Sequence, residues 1–241
     1  MLILGLDTST RVCSVALLNG GELVGEYTQN VSKTHSQRLL PLISCLLDDT
    51  GTDRKDLDAV AVAIGPGSFT GLRIGIATAR ALAQGLGLQA VGVSTLRALA
   101  ENLSGRRIIV CPMLDARRDQ VYAALYRPYA ESAGGGSADF ETLLAPTALS
   151  IHELVARLRP FEDRVCFPGD GQARYLTLLH KEMGNRYTAI SPALALNRAS
   201  SVAVCAARKM KAFPGQYSYF DLRPEYLRVP EAERRRREKD T

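Results

Sequence analysis

The residues able to do chemistry are few, and the most distinctive lie in one string. Gly65, Pro66, Gly67, Ser68, Phe69, Thr70 and Gly71 form a glycine-rich turn, and Arg73 follows as an apolar helical pattern begins. Such a turn either binds phosphate through free backbone amides or simply connects a strand to a helix. Its G-x-G-x-x-x-G spacing is not a dinucleotide fingerprint, and no G-K-[ST] follows as in a P-loop. Ser68 lacks the G-x-S-x-G setting of a nucleophile elbow. A helical metal site needs two imidazoles one turn apart. Four residues after His35, His152 and His180 stand Leu39, Ala156 and Gly184, so none of the three histidines has such a mate. Cys13, Cys45, Cys111, Cys166 and Cys205 form no C-x-x-C and sit among apolar neighbours. They read as small buried hydrophobes in a reducing compartment.

The elements that must position these residues follow from hydrophobic patterning. The 241 residues are 46% hydrophobic with a net charge of +5, which suits one large or two small domains with a proper core. The charge is compatible with nucleic acid nearby without requiring it. The chain opens with too short an apolar stretch for a secretory leader, and no later run approaches the ~20 apolar residues of a span. The expectation is a cytoplasmic protein with no membrane contact. Residues 2–6, 12–18 and 22–29 pattern as an antiparallel meander. A helix starts near Thr34 or Ser36 and stops at Gly51. Its stripe of Leu39, Leu40, Leu42, Ile43, Leu46 and Leu47 is wider than one sheet face requires, and Pro41 predicts a kink or a later start. A doubly buried strand at 59–64, a helix at 72–84, a strand at 89–93 and a helix capped by Ser94 complete this half.

The pattern then restarts. LDTSTRVCSVAL from Leu6 and LDARRDQVYAAL from Leu114 both open with Leu-Asp and close with Ala-Leu. They mark the start of two similar halves. The second half reads as strands at 107–114 and 120–127, a glycine loop at 132–137, and a helix to about 158 with a Ser150–Glu153 capping box. A strand at 165–167, a turn at 169–171 and helices at 172–183 and 194–210 follow. The expected division is 1–103, 104–228 and a charged tail, 229–241. Four consecutive arginines in that tail are nearly balanced by acids, which reads as a solvated end before it reads as an RNA-contacting arm.

GPGSFTGLRIG, with GLDTST, THSQRLLPLI, LDARRDQVY, GDGQARY and PEYLR in order along nearly the whole chain, closely resembles the TsaB family. The resemblance implies an α/β chain of the actin-like ATPase (ASKHA) fold, two RNase H-like domains whose mixed sheets carry flanking helices. It implies a non-catalytic subunit for threonylcarbamoyl transfer to the adenosine 3′ of the anticodon, in tRNAs reading codons that begin with A. Such a subunit binds and activates the catalytic paralogue TsaD, with the ATPase TsaE as a further partner. ATP and metal are expected on those partners and none here, tRNA is met through the complex, and the chain alone is expected to pair with itself through the same surface. The expected interface is His35, Leu39, Leu42, Ile43 and Leu46 on the first helix, with the ridge Gly71, Gly75, Ala79 and Ala83 on the second. That ridge would equally allow close packing on its own sheet.

Asp7 and Asp115 fall where actin-like ATPases place their catalytic loops, commonly Asp-x-Gly. Here the strings are Asp7-Thr8-Ser9 and Asp115-Ala116-Arg117, without the glycine that admits phosphate. Asp7, Thr8, Ser9 and Asp115 are therefore weak nucleotide candidates. Arg73 is expected to meet a partner carboxylate or a buried carboxylate of its own chain. The competing readings are an autonomous actin-like ATPase, kinase or peptidase, and a free-standing RNA-binding module. The latter is disfavoured by 6% aromatic content and no tryptophan.

Overall fold

A computed structural model describes residues 1–31, 34–129 and 139–228. The glycine loop at 132–137 and the tail at 229–241 lie outside the described residues. The first half is built on β1 (Leu2–Asp7), β2 (Cys13–Asn19), β3 (Glu22–Gln29), β4 (Ala59–Gly65) and β5 (Gln89–Ser94), in the spatial order β3-β2-β1-β4-β5. β1 pairs antiparallel with β2 and parallel with β4. Strand alternation divides the central strands between two layers. Leu4, Leu6, Val60 and Val62 face α1 (His35–Asp49) and α2 (Phe69–Leu86), whereas Ile3, Ala59, Ala61 and Ala63 face the other way. The second layer is α3 (Thr95–Glu101), introduced by Ser94, together with the late helix α7 (Ala199–Ala212). α7 seats against the first sheet because that face is lined with small residues: a side chain on Gly5 would overlap the Ala199 carbonyl. Glu26 on β3 fixes its start, accepting from the Ser200 amide at 3.0 Å and pairing with Arg198.

The second half contains β6 (Ile109–Val110), β7 (Met113–Asp115), β8 (Gln120–Pro128), β9 (Phe140–Ser150) and β10 (Val165–Cys166). The single strand expected at 107–114 is thus two short strands with Cys111-Pro112 between them, because proline has no N–H to donate to a ladder. α4 (Ile151–Leu158), with the capping box Ser150–Glu153, and α5 (Gln172–Met183) cover one face. The helix expected at 194–210 is split into α6 (Pro192–Ala195) and α7, and its two parts serve different halves. α3 is wedged between the sheets: Ala98 belongs to the first core, and Leu96, Leu99 and Leu103 to the second. Glu101 on α3 is buried and takes a bidentate pair from Arg208 of α7 at 2.6 Å, with Arg97 at 2.8 Å. Among the described residues no helix is long and apolar enough to cross a membrane.

Two glycines of α2 separate packing from propensity. On Gly71 a Cβ would overlap the Thr8 carbonyl oxygen, whereas on Gly85 it meets nothing within 4 Å. Gly71→Ala should lose about 1–3 kcal/mol of stability through forced backbone movement. Gly85→Ala should gain about 0.5–1 kcal/mol from helix propensity. Denaturant melts of the two variants check the opposite signs.

Candidate functional site

The loops that follow β1 and β4 close on one another. Ser68 is the N-cap of α2, its hydroxyl accepting from the Gly71 amide at 3.3 Å. Its own amide donates to the Ser9 carbonyl at 2.6 Å, and the Thr8 hydroxyl donates to the Gly71 carbonyl at 2.8 Å. Added side chains on Gly67, Gly71 and Gly75 would overlap Ser9 O, Thr8 O and Thr8 Oγ1 respectively. The glycines therefore let one loop of the protein, rather than a phosphate, fill the space above Asp7.

Asp7 is fully buried. Its carboxylate accepts from the Ser9 amide at 2.8 Å, the Ser9 hydroxyl at 2.6 Å and the Asn197 side-chain amide at 3.3 Å. Burial pushes its pKa up, against the lowering effect of those hydrogen bonds. Thr8 and Ser9 are equally inaccessible. The fold family implies a nucleotide here, and the residues do not fit one: Asp7 has no face free, and the Ser9 carbonyl is already capped. Asn197, contributed from 190 positions away, carried no local signal in the sequence.

The equivalent loop of the second half is open. Asp115 is exposed, and its carboxylate accepts from the Arg117 amide at 2.8 Å. Arg117, Arg118 and Asp119 all have φ between 51° and 60°. Each such left-handed non-glycine residue costs about 1–2 kcal/mol, so the loop is strained. It is held by Arg228, which donates to the Ala116 carbonyl at 3.0 Å, and by the Arg174–Asp119 pair. Between the two loops lies a cleft of about 770 Å³, whose walls include Ser9, Thr10, Arg11, His35, Phe69 and Arg117.

Comparison with known proteins decides the family. The chain is 32% identical over 235 residues to the tRNA threonylcarbamoyladenosine biosynthesis protein TsaB of Bacillus subtilis (strain 168), covering 97% of this chain and 96% of that one. The chain belongs to the TsaB family. Residues 25–235 also match the family model described as TsaD, tRNA N6-adenosine threonylcarbamoyltransferase. A solved structure of an uncharacterized Pseudomonas aeruginosa protein with similarity to peptidase YEAZ superposes with a TM-score of 0.73 at 28% identity, covering 94% of this chain and 99% of that one. A ROK hexokinase from Thermus thermophilus superposes at 0.51 with 11% identity, covering 88% and 100%, which shows the fold alone. The chain thus has the actin-like ATPase fold, and its family works in the biosynthesis of tRNA threonylcarbamoyladenosine.

The remaining expected site residues of this TsaB chain fall as follows. His35 begins α1 and bonds the Thr10 carbonyl through Nε2 at 2.8 Å, and burial pushes its pKa down. The wide stripe of α1 does not divide between sheet and surface. Leu39, Leu42, Ile43 and Leu46 are only 1–8% exposed and pack in the chain's own core. The correction has a packing cause: α1 lies against β2, β3 and α2 at once, so it needs apolar residues on two sides. Leu40 is the one left outside, at 57% exposure. Pro41 is accommodated within the helix. The ridge Gly71, Gly75, Ala79 and Ala83 is buried in the chain's own core.

The turn itself is held from behind. The Glu225 amide donates to the Ile64 carbonyl at 2.7 Å, and a side chain on Gly65 would overlap the Glu225 carbonyl. Pro66 follows through a cis peptide, and Thr70 lines the cleft. Among the described residues Arg73 meets no carboxylate. It donates to the Tyr226 hydroxyl at 3.2 Å and lies 3.9 Å over Phe69, which stacks on Tyr226. Cys45 departs from the expectation of burial and is exposed on α1.

The raised Asp7 pKa has a stability consequence. The folded state holds this proton more tightly than the unfolded chain, so the stabilising contribution is present at low pH and lost as pH rises through the folded value. In Asp7→Asn that loss should vanish. The stability of the variant relative to wild type should therefore improve as pH climbs from about 4 to about 7. A wild-type-to-variant difference independent of pH in chemical melts would mean that the carboxyl is ordinary and solvated.

Proposed function

We propose that this chain is a non-catalytic subunit required for threonylcarbamoyl transfer to the adenosine 3′ of the anticodon, binding and activating the catalytic paralogue TsaD, with TsaE as the ATPase of the same assembly. The observation that carries the reading is the seal over Asp7, made by the Ser68 amide on the Ser9 carbonyl at 2.6 Å. A carboxylate that is fully buried and bonded by Ser9 and Asn197 supports the fold and is not offered to a phosphate or a metal. The chemistry then belongs to the paralogue, and ATP and metal with it. An autonomous ATPase or kinase would have to open this seal.

For docking the paralogue, the outer faces of α1 and α2 replace the buried stripe. They run side by side over the first sheet and present Leu40, Pro41 and Ser44 from one helix and Ala77 and Ala81 from the other. The alanines and Ser44 allow close helix approach, and the surface also carries Arg73 from α2 and Asp48, beside Ser44, from α1. In the absence of TsaD the same surface serves for self-association.

Reconstituted transfer to unmodified tRNA, with each protein omitted in turn, tests the reading. Activity should collapse without this chain, and the chain alone should be inert. Asp7→Asn should support transfer at close to the wild-type rate, and Leu40→Glu should fold as wild type yet fail to assemble. Transfer that survives omission of the chain would defeat the assignment. Loss of transfer in an assembled Asp7→Asn complex would make the chain catalytic.

A further inference from the structure

The seal above Asp7 leaves the outer end of the cleft unaccounted for. That end is bounded by Arg11 in the turn after β1 and Arg117 in the strained loop after β7, both exposed and both lining the same cavity. Neither guanidinium forms an ion pair among the described residues. Arg228 approaches from the same side to bond the Ala116 carbonyl. Tyr122 also lines the cavity; burial raises its pKa, and the Arg228 and Arg117 charges lower it. Three left-handed residues in a row keep Arg117 at this position, and backbone strain of that kind persists where the surrounding structure enforces it, commonly at binding sites.

The rest of the wall is mixed. The exposed Ser68 and Thr70 bring hydroxyls, Phe69 and Tyr122 bring apolar area, and Asp115 and Asp170 bring acceptors. A volume of about 770 Å³ is of the size that takes a nucleotide-sized group. An acidic peptide would satisfy the arginines, but its side chains would be repelled by the two aspartates. An RNA strand offers phosphates to the arginines, and exocyclic amines and 2′-hydroxyls to the carboxylates.

We propose that the Arg11–Arg117 end of the cleft contacts the backbone of the tRNA substrate, an unpaired nucleotide entering between the two loops. This rests on the reading of the chain as a subunit in tRNA modification. The two arginines meet the phosphates, and Asp115 and Asp170 select against ligands that carry negative charge alone.

The test is the salt dependence of unmodified tRNA binding by the assembled complex, using the full chain. Each phosphate contact adds about one unit to the slope of log K against log salt. Arg11→Ala with Arg117→Ala should lower that slope by about two and weaken binding at low salt by about tenfold. Lysine at both positions should restore the slope, and Arg157→Ala, on the exposed side of α4, should leave it unchanged. A wild-type complex that binds no tRNA defeats the functional reading itself. Wild-type binding with an unaltered slope in the double alanine variant defeats this proposal alone. The proposal also fails if the double variant loses assembly with TsaD, which would make the site a protein contact. It fails again if the pair instead governs AMP binding by the isolated chain with tRNA binding intact, which would assign the cleft to a free mononucleotide.

Discussion

The loop after β1 and the loop before α2 occupy the same small volume, and the rest of the first half is arranged around that fact. Two main chains approach this closely only where side chains are missing on one of them, which is what Gly67 and Gly71 provide. The Ser68 amide and the Thr8 hydroxyl then convert proximity into two hydrogen bonds away from water, where leaving either partner unmet would cost more than the bond itself contributes. With the start of α2 pinned there, its small-residue face must lie on the sheet. Its outer face is turned away from the core, and Phe69 comes to the lip of the cleft, where Tyr226 and Arg73 cover it.

The two halves differ at this point. In the first hairpin Asp7 pairs with Ser14, whereas in the second Asp115 pairs with Val121, one position short of the register that the repeated sequence would dictate. A one-residue slip changes which side chains meet across the pair. The second loop absorbs it in three left-handed residues and is braced from outside by Arg228. One half thus has a loop plugged by its own chain, and the other a loop left open under strain. A ligand lying between two halves can hold them together only while it is bound. Here the work is done by permanent contacts: the α3 wedge, the buried Glu101 with its two arginines, and the C-terminal segment running from Ile64 to Ala116.

Much of this was legible in the sequence, and the exceptions share a cause. The strand–helix order, the doubly buried β4, the capping box at Ser150 and the restart at Leu114 are all local patterns, and local patterns survive folding. β9 escaped notice because Pro146 and mixed polarity break its alternation. Pro146 is tolerated because, among the described residues, β9 pairs with β8 alone and the register skips between Ala123–Thr147 and Leu125–Leu144. The role of Arg73, the burial of the α1 stripe and the partner of Asp7 all depend on residues far away in the chain: Tyr226, the α2 surface and Asn197. No spacing rule reaches that distance. Width of an apolar stripe, in particular, does not say whether its second side meets a partner or a neighbouring helix of the same chain.

That ambiguity bears on how a fold changes its use. A cleft whose inner end is closed by its own chain still has two walls and a set of polar groups around its outer end. The inner end is filled by the chain's own loop, while the outer end stays open between the loops after β1 and β7. Function is carried by sites and not by the architecture that holds them. In this chain the inner end has become part of the core, with Asp7 as its buried hydrogen-bond hub. At the outer end Asp115 and Asp170 brace the loop backbone, accepting from the Arg117 and Asp115 amides, while Arg11 and Arg117 remain exposed where the cleft faces outward.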